Sequence, residues 1–243
     1  MSEQVSIDEE VERLLGKQEE VTAEVELPSK SKFYKGKGKL KVRGMTFADE
    51  KATIYKQAPN FDPINEIIRR CVKNVNFEEI LSIDKVPILL AIRALTYGNE
   101  YKSTLTCQSC SHINDINVDM NKLEINYLSD DYKDGKLEVE LPKSKLKILI
   151  RLPKIVDISF GSNIDSFADN LWRFVEKINN NDNPTVISKV VENLSIKDMH
   201  VLLKAFAGNG AGKDTRVYFK CANCKATDIF NIPFDDSFFT DAS

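Results

Sequence analysis

Apolar residues recur at helical spacing in several stretches of the chain, and each stretch predicts a helix. One helix begins at Asp62 and Pro63, a good N-cap and first-turn pair, and carries Cys71 on its apolar face as an expected core residue. The next contains VPILLAIRALTYG and ends at Gly98, which is placed like a C-cap. Further helices are predicted at residues 47–57, 164–178, 186–194 and 199–206. Ser195 with Asp198, just before the last one, resembles a capping box with Asp in place of the usual Glu.

Alternating apolar and polar residues predict strands elsewhere in the chain. Residues 39–45 alternate and form one predicted strand. LEVELP and KLKILIRLP alternate on either side of Pro142, Lys143 and Ser144, which predicts a hairpin. Two more β-rich pairs, YKSTLT with INDINVDM and TRVYFK with ATDIFNIPF, each enclose a C-x-x-C sequence. Each of these pairs is therefore predicted to be a hairpin with two cysteines near its tip.

The two C-x-x-C sequences contain Cys107, Cys110, Cys221 and Cys224. Both thiolates of such a pair converge on one ion, and two pairs supply the four soft ligands that Zn²⁺ prefers. A simple zinc ribbon has roughly 15–20 residues between its pairs. Here 110 residues lie between Cys110 and Cys221. We therefore predict one structural Zn²⁺ held by all four cysteines, with the residues between the pairs as an insertion.

Other interpretations of the cysteines stay open. The pairs could be separate and metal-free, or one could be a redox dithiol. A thioredoxin-type motif normally opens a helix, however, and turn-then-strand sequence follows both pairs here. His112 lies just after the first pair and could replace a ligand, but four thiolates already complete a tetrahedral shell. We therefore expect His112 beside the ion or on the surface.

This order of elements predicts an α+β fold, a discontinuous zinc-ribbon-like pair of β-hairpins with a helical and β-hairpin insertion. The N-terminal residues are expected to form a flexible arm because their polar, charged sequence offers few core residues. The predicted regions are the arm at 1–37, a β and helical region ending in the first knuckle at 38–120, the β-hairpin plus helical insertion at 121–212, and the second knuckle with the C-terminal tail at 213–243.

Composition narrows the possible functions. The 243 residues are 42% hydrophobic and 29% charged, as is typical of soluble proteins, and a net charge of −3 disfavours nucleic acid as the main partner. A basic stretch at 30–43 leaves a minor nucleic-acid role open. No apolar run approaches the ~20 residues of a membrane span, and the acidic N-terminus does not resemble a signal peptide. We therefore expect a reducing cytosol, where paired cysteines bind metal more often than they form disulfides.

Groups for catalysis are missing from the sequence. It contains only two histidines, and no nucleophile, metalloprotease or paired-aspartate motif is present. The glycine-rich run at 208–214 resembles a P-loop, but Ala207 stands where the first glycine belongs and Asp214 where the hydroxyl belongs. We therefore predict a helix-to-strand loop there, and a protein that is not an enzyme and has no small-molecule substrate.

The order of motifs resembles the T4-type phage baseplate proteins, the family of the baseplate hub subunit and the baseplate hub assembly catalyst. The resemblance rests on RGMTFADEKATIYK, on IDKVPILLAIRALTYGNEYKSTLTCQSCSHINDINVDM and on the terminal IFNIPFDDSFF, and it covers residues 38–240. Two departures from the family pattern are Asn99, inserted after the helix-ending glycine, and Ser111, where glycine is common. The residues that match the pattern of the helix end are Ile92, Arg93, Thr96, Gly98 and Glu100.

The resemblance implies a non-enzymatic structural or assembly protein of a contractile tail, with other baseplate hub or wedge proteins as partners. It implies assembly in the host cytoplasm and a place in the virion tail baseplate. Phe238 and Phe239 are candidate partner-binding residues, although burial against the chain's own hairpins fits their position equally well. Two alternatives are kept, a zinc-ribbon protein that binds nucleic acid and a transient assembly chaperone that is absent from the mature particle.

Overall fold

The computed structural model of the chain describes residues 7–15, 20–34, 36, 38–54, 61–158 and 170–239. Runs of helices and runs of short antiparallel strands follow one another along these residues, in agreement with the α+β prediction. The helices are α1 (Ile7–Leu15), α2 (Phe47–Ile54), α3 (Pro63–Cys71), α4 (Lys85–Tyr97), α5 (Pro184–Glu192) and α6 (Ile196–Phe206). The predicted end of α2, residues 55–57, lies outside the described residues.

The strands form small, separate antiparallel sheets. They are β1 (Thr22–Glu24), β2 (Lys41–Arg43), β3 (Glu100–Thr106), β4 (Ile113–Asp119), β5 (Ile125–Asn126), β6 (Lys136–Glu140), β7 (Lys147–Arg151), β8 (Val175–Ile178), β9 (Gly212–Lys213), β10 (Arg216–Lys220) and β11 (Thr227–Asn231). Two-stranded sheets pair β1 with β2, β3 with β4, β5 with β9 and β10 with β11, while β6, β7 and β8 form a three-stranded sheet. The three hairpins predicted from alternation are therefore confirmed.

The helix ends follow the capping residues in the sequence. The Asp62 carboxylate accepts a hydrogen bond from the Asn65 N–H at 3.0 Å, and Pro63 occupies the first turn of α3, where its missing N–H costs nothing. Helix α4 ends at Gly98, whose φ of 92° suits glycine. The Ser195 side chain caps α6 by accepting from the Asp198 N–H at 3.2 Å. All three helix ends are predicted correctly from the sequence.

The first core is built from segments that are far apart in the sequence. It combines α3, α4 and the inner faces of the β3–β4 and β10–β11 hairpins, and Cys71 is fully buried in it, as expected. Residues 22–34 also belong to it, although they fall within the predicted flexible arm. Val25, Leu27 and Tyr34 are buried there, because β1 pairs with β2 and places these side chains over the helices.

The second core is continuous in sequence and lies within the predicted insertion. It packs the β6–β7–β8 sheet against α5 and α6, with Leu202 and Ile148 fully buried. A smaller cluster around Leu81, Leu128 and Leu152 adjoins both cores, and the Tyr132 hydroxyl donates to the Ala205 carbonyl at 2.6 Å. The two hydrophobic cores thus belong to one fold but differ in how the chain builds them.

The helix predicted at 164–178 is wrong over its described part. Residues 159–169 lie outside the described residues, a 3₁₀ turn occupies Leu171–Phe174, and β8 follows. Val175 and Ile178 are buried while Lys177 is exposed, and Ile178 pairs with Ile148 on β7. The β-branched residues and the open edge of β7 therefore outweigh the helical spacing of the apolar residues.

Candidate metal centre

The first cysteine pair lies in a tight turn at the tip of the β3–β4 hairpin. The Cys107 N–H donates to the His112 carbonyl at 2.9 Å, and the Ser111 N–H donates to the Cys107 carbonyl at 2.9 Å. Ser111 adopts a φ of 57°, a left-handed conformation that is unusual for a residue with a Cβ. This turn points both Cys107 and Cys110 out of the strand ends.

The second pair repeats the same turn at the tip of the β10–β11 hairpin. The Cys221 N–H donates to the Ala226 carbonyl at 2.9 Å, and the Lys225 N–H donates to the Cys221 carbonyl at 3.1 Å. Lys225 has a φ of 63°, matching the left-handed residue of the first turn. Two turns with the same hydrogen bonds and the same strained residue thus form two equivalent halves of one site.

The four predicted cysteines come together between these turns. The Cys107 and Cys224 sulfurs are 3.7 Å apart, as are those of Cys110 and Cys221, and all four sulfurs lie within 4.8 Å of one another. These distances are too long for a disulfide bond of about 2.05 Å, and all four cysteines are free. Cys107 and Cys221 are buried whereas Cys224 is exposed, so one side of the cluster faces solvent. Four thiols so placed could bind one metal ion.

Backbone amides around the cluster favour thiolates. The Cys224 N–H lowers the pKa of the Cys221 thiol to about 6 because it stabilises the charged form. The backbone amide of His112 lowers the pKa of Cys110 in the same way, and the Asn223 side-chain amide lies 3.7 Å from the Cys110 sulfur. These bonds favour the thiolate forms of Cys110 and Cys221, which are the forms that bind metal ions. The Ala226 N–H acts in the same direction on Cys224, but the neighbouring cysteine side chains and desolvation outweigh it and raise the pKa of Cys224 to about 11.

Asn114 joins the two hairpins next to the sulfurs. Its side-chain oxygen accepts from the Ala222 N–H in the second turn at 2.8 Å, and its side-chain amide donates to the His112 carbonyl at 3.1 Å. Asn114 is buried, so these bonds are shielded from water. Sequence analysis missed this residue, although a polar side chain on the inward-facing side of β4 is a signal that could have found it.

His112 itself is exposed, and the group of side chains that could hold a metal contains only the four cysteines in the described part of the chain.

The glycine-rich run at 208–214 connects a helix to a strand. Gly208–Gly210 forms one 3₁₀ turn after α6, and β9 follows it, so the predicted helix-to-strand loop is confirmed.

Phe238 and Phe239 lie in the first core, with 0% and 5% of their surfaces exposed. The Arg93 guanidinium donates to the Phe238 carbonyl at 2.8 Å, and the Tyr97 hydroxyl donates to the Phe239 carbonyl at 2.8 Å. The Phe238 ring also packs against Tyr101 of β3, with ring centroids 5.6 Å apart. Of the two locations left open by the sequence, the structure shows burial against the chain itself. Partner binding by these residues stays a prediction.

The residues behind the baseplate resemblance hold α4 to its surroundings. Besides Phe238, the buried Arg93 guanidinium donates to the Glu100 carbonyl at 3.2 Å. The Thr96 hydroxyl accepts from the Met45 N–H at 2.9 Å and donates to the Ile92 carbonyl at 2.7 Å. The residues of the baseplate pattern therefore connect α4 to the first hairpin, to the chain before α2 and to the C-terminal segment.

Comparison with protein families decides the wider relationship of the chain. A family model described as T4 bacteriophage base plate protein matches residues 19–240, which include both cysteine turns and both cores. The chain belongs to this baseplate protein family. Membership implies a structural or assembly role in the phage tail baseplate, with partners among other baseplate proteins.

Comparison with individual proteins adds no closer relationship for this baseplate protein. Neither a curated protein nor a solved structure matches the chain. Within the described ranges, none of the helices has the length and apolar character needed to cross a membrane. The four-cysteine cluster and the family match therefore carry the functional argument.

Proposed function

We propose that this baseplate protein is a non-enzymatic structural or assembly component of the tail hub, held in shape by one Zn²⁺ bound to Cys107, Cys110, Cys221 and Cys224. The convergence of four sulfurs within 4.8 Å, in a chain of the baseplate family, carries the proposal. The protein acts through contacts with other baseplate proteins, and its ion has a structural task.

The geometry of the cluster suits zinc. With Zn–S distances of about 2.3 Å, a regular tetrahedron of sulfurs has edges of about 3.8 Å. Two of the sulfur separations, Cys107 to Cys224 and Cys110 to Cys221, are 3.7 Å. Four thiolates leave no open coordination position, so a zinc ion here would stabilise the fold and would not activate water.

The ion would act by joining distant parts of the chain. Each turn contributes two ligands, and the 110 residues between Cys110 and Cys221 include the whole second core. Ligand binding that requires the folded arrangement contributes directly to folding free energy. The ion therefore would fix the two hairpins relative to each other and keep the partner-binding surfaces in place.

Two buried carboxylates, Asp84 and Asp49, hold separate segments of the chain together, which supports a structural role. Asp84 is fully buried and accepts hydrogen bonds from the Ser29 hydroxyl and the Tyr34 hydroxyl, both at 2.5 Å. Asp49 is buried and paired with Arg43 at 2.5 Å. These carboxylates are engaged in holding the fold together, as are many buried charges.

The metal content of the purified protein tests the site. We expect about one zinc per wild-type chain and a large loss of zinc in Cys221→Ser, measured by elemental analysis after extensive dialysis. Cys71→Ala is the matched control because Cys71 is buried in the first core, away from the cluster. A metal-free wild type, or full zinc content in Cys221→Ser, would contradict the four-ligand site.

The place of the protein in the particle is tested separately. Mass spectrometry of purified phage particles should find this chain in the tail if it is a structural subunit. Its presence only in assembly intermediates would instead identify a transient assembly chaperone.

A nucleic-acid role is the second candidate because of one face of the β10–β11 hairpin. Tyr218 is 65% exposed there between the exposed side chains of Arg216 and Lys220. An aromatic ring among cations can stack on unpaired bases. Binding to single-stranded DNA or RNA that weakens steeply with salt and is lost in Tyr218→Ala would support this role, and no retention at low salt would exclude it.

A further inference from the structure

The helix α1 carries an apolar stripe that no part of the described chain covers. Ile7, Val11 and Leu14 are spaced four and three residues apart, so they lie on one side of the helix. Their exposed fractions are 83%, 47% and 72%. Besides these three residues, the helix sequence IDEEVERLL contains four acidic residues, one basic residue and a second leucine. The α1 stripe is thus an apolar surface on a strongly acidic helix.

A groove with the opposite charge lies on the second core. It has a volume of about 670 Å³ and runs between the β6–β7 turn and the two helices α5 and α6. Its apolar floor includes Leu146, Val190 and the exposed side chain of Val186. Lys143 and Lys189 are exposed and stand on its rim, and we call this surface the lysine-rimmed groove.

The polar groups at the end of the groove are already satisfied. The buried Asp198 carboxylate accepts from the backbone N–H groups of Lys143 at 2.8 Å and Ser144 at 3.1 Å. The Ser195 hydroxyl is occupied by capping α6. An occupant therefore gains little from hydrogen bonds to these groups, and apolar contact with the floor and charge attraction at the rim decide what binds.

We propose that α1 of one copy of this chain docks in the lysine-rimmed groove of a second copy. The α1 stripe supplies the apolar contact that the floor requires, and the excess of acidic over basic residues in the α1 sequence complements the lysines on the rim. The stripe spans roughly 10 Å along its helix axis, and α5, which forms one wall of the groove, is about 13 Å long. This is recognition of an amphipathic helix by a groove.

The contact joins two different surfaces, so it is heterologous. Each copy offers one helix and one groove, and successive copies can therefore form a closed ring or an open chain. This self-association is independent of the proposed zinc site and hub role, since neither the helix nor the groove includes a cysteine.

Sedimentation velocity of the full-length protein over a range of concentrations tests the proposal. Wild type should associate reversibly, and Val11→Asp should raise the midpoint concentration at least about tenfold, because a charge replaces an apolar contact. Val21→Asp is the matched control, since Val21 is 71% exposed but lies outside α1. The groove is tested by Lys143→Glu combined with Lys189→Glu, which changes exposed side chains only.

An equimolar mixture of the Val11→Asp protein and the lysine-to-glutamate groove variant tests whether α1 of one copy binds the groove of another. The Val11→Asp protein keeps its groove and the groove variant keeps its helix, so the mixture should form a one-to-one dimer and no larger species. The proposal is overturned if wild type stays monomeric at every concentration, or if Val11→Asp associates like Val21→Asp. Intramolecular cross-linking of α1 to the groove of its own chain in a monomer would also overturn it.

Discussion

The two hydrophobic cores of this protein differ in how far apart their segments lie in the sequence and in whether they include the cysteine-bearing hairpins. The first is assembled from residues as far apart as Val25 and Phe239, and it includes the inner faces of both cysteine-bearing hairpins. The second lies within residues 137–206 and contains no cysteine. Ordering distant segments costs more chain entropy than ordering neighbouring ones. The cysteine cluster is thus placed in the core that has the greater need of a cross-link.

Polar groups in the interior follow the same division. Asp84, Arg93 and Asn114 are buried in or beside the first core, and each joins segments that are distant in sequence or different elements of the fold. In the second core, buried Asp198 joins α6 to the turn of a nearby hairpin. The first core therefore relies on specific connections, whereas the second relies mainly on apolar packing.

Removing the proposed zinc ion should have the largest effect, and it should destabilise the first core more than the second. Structural zinc contributes about 10–16 kcal/mol in zinc-finger peptides, so chelation should greatly reduce hydrogen-exchange protection in β3, β4, β10 and β11. Amides of β7 and α6 should keep more of their protection, because Ile148 and Leu202 do not depend on the cluster. Equal loss of protection in both cores would show that the cluster stabilises the whole chain as one unit.

The second core should instead respond to loss of apolar volume. Leu202→Ala removes a fully buried side chain from α6 and should reduce the free energy of unfolding by about 2–5 kcal/mol, measured in urea. Leu203→Ala is the control, since Leu203 is 36% exposed on the same helix and should cost far less. We expect both variants to retain the zinc content of wild type. Loss of zinc in Leu202→Ala would contradict the separation of the cores.

The smallest predicted effect is a pH dependence in the first core. Burial raises the pKa of Asp84, although Ser29 and Tyr34 donate hydrogen bonds that oppose this. The stability that Asp84 contributes is therefore full below its unfolded pKa of about 4 and is lost as pH rises through the folded value. Asp84→Asn lacks this titration, so wild type should lose stability relative to it as pH rises above about 4.

The stability contributed by Asp49 should change with pH in the opposite direction, so Asp49 serves as the control for that measurement. Burial raises its pKa, but hydrogen bonds from Arg43 and Thr46 outweigh this and hold the pKa at about 2. Its contribution is therefore present above pH 4 or so and is lost as pH falls toward 2. Urea unfolding of Asp84→Asn and Asp49→Asn across pH should give differences of opposite slope, and slopes of the same sign would contradict these environments.

Local features of the fold could be predicted where they depend only on residues that are close in the sequence. Asp62, Gly98 and Ser195 mark helix ends because their roles depend on neighbouring residues only. The cysteine set could be predicted across a long separation because two C-x-x-C pairs, each followed by turn and strand sequence, are typical of a four-thiolate metal site. The helical spacing of apolar residues at 164–178 led to a wrong helix prediction. Residues 175–178 pair instead with the edge of β7, a distant partner that the spacing of apolar residues does not reveal.

The hydrogen bonds made by the buried side chains of Arg93 and Asn114 could not be predicted, because their partners are brought close by the fold. The carbonyls that Arg93 reaches belong to residues 100 and 238, and the amide that Asn114 reaches belongs to residue 222. Their sequences show only a polar residue on an apolar face. Residues 22–34 similarly look too polar for a core, yet pairing of β1 with β2 buries the few apolar side chains they have.

The equal division of the cluster between two turns has a consequence for synthesis. Synthesis of the 110 residues between Cys110 and Cys221 takes roughly 5–20 s at ordinary translation rates. During that interval a nascent chain holds only half of the ligands. A ribosome that stops early therefore releases a chain that cannot close the cluster. The complete four-sulfur arrangement is thus available only to chains that extend past Cys224.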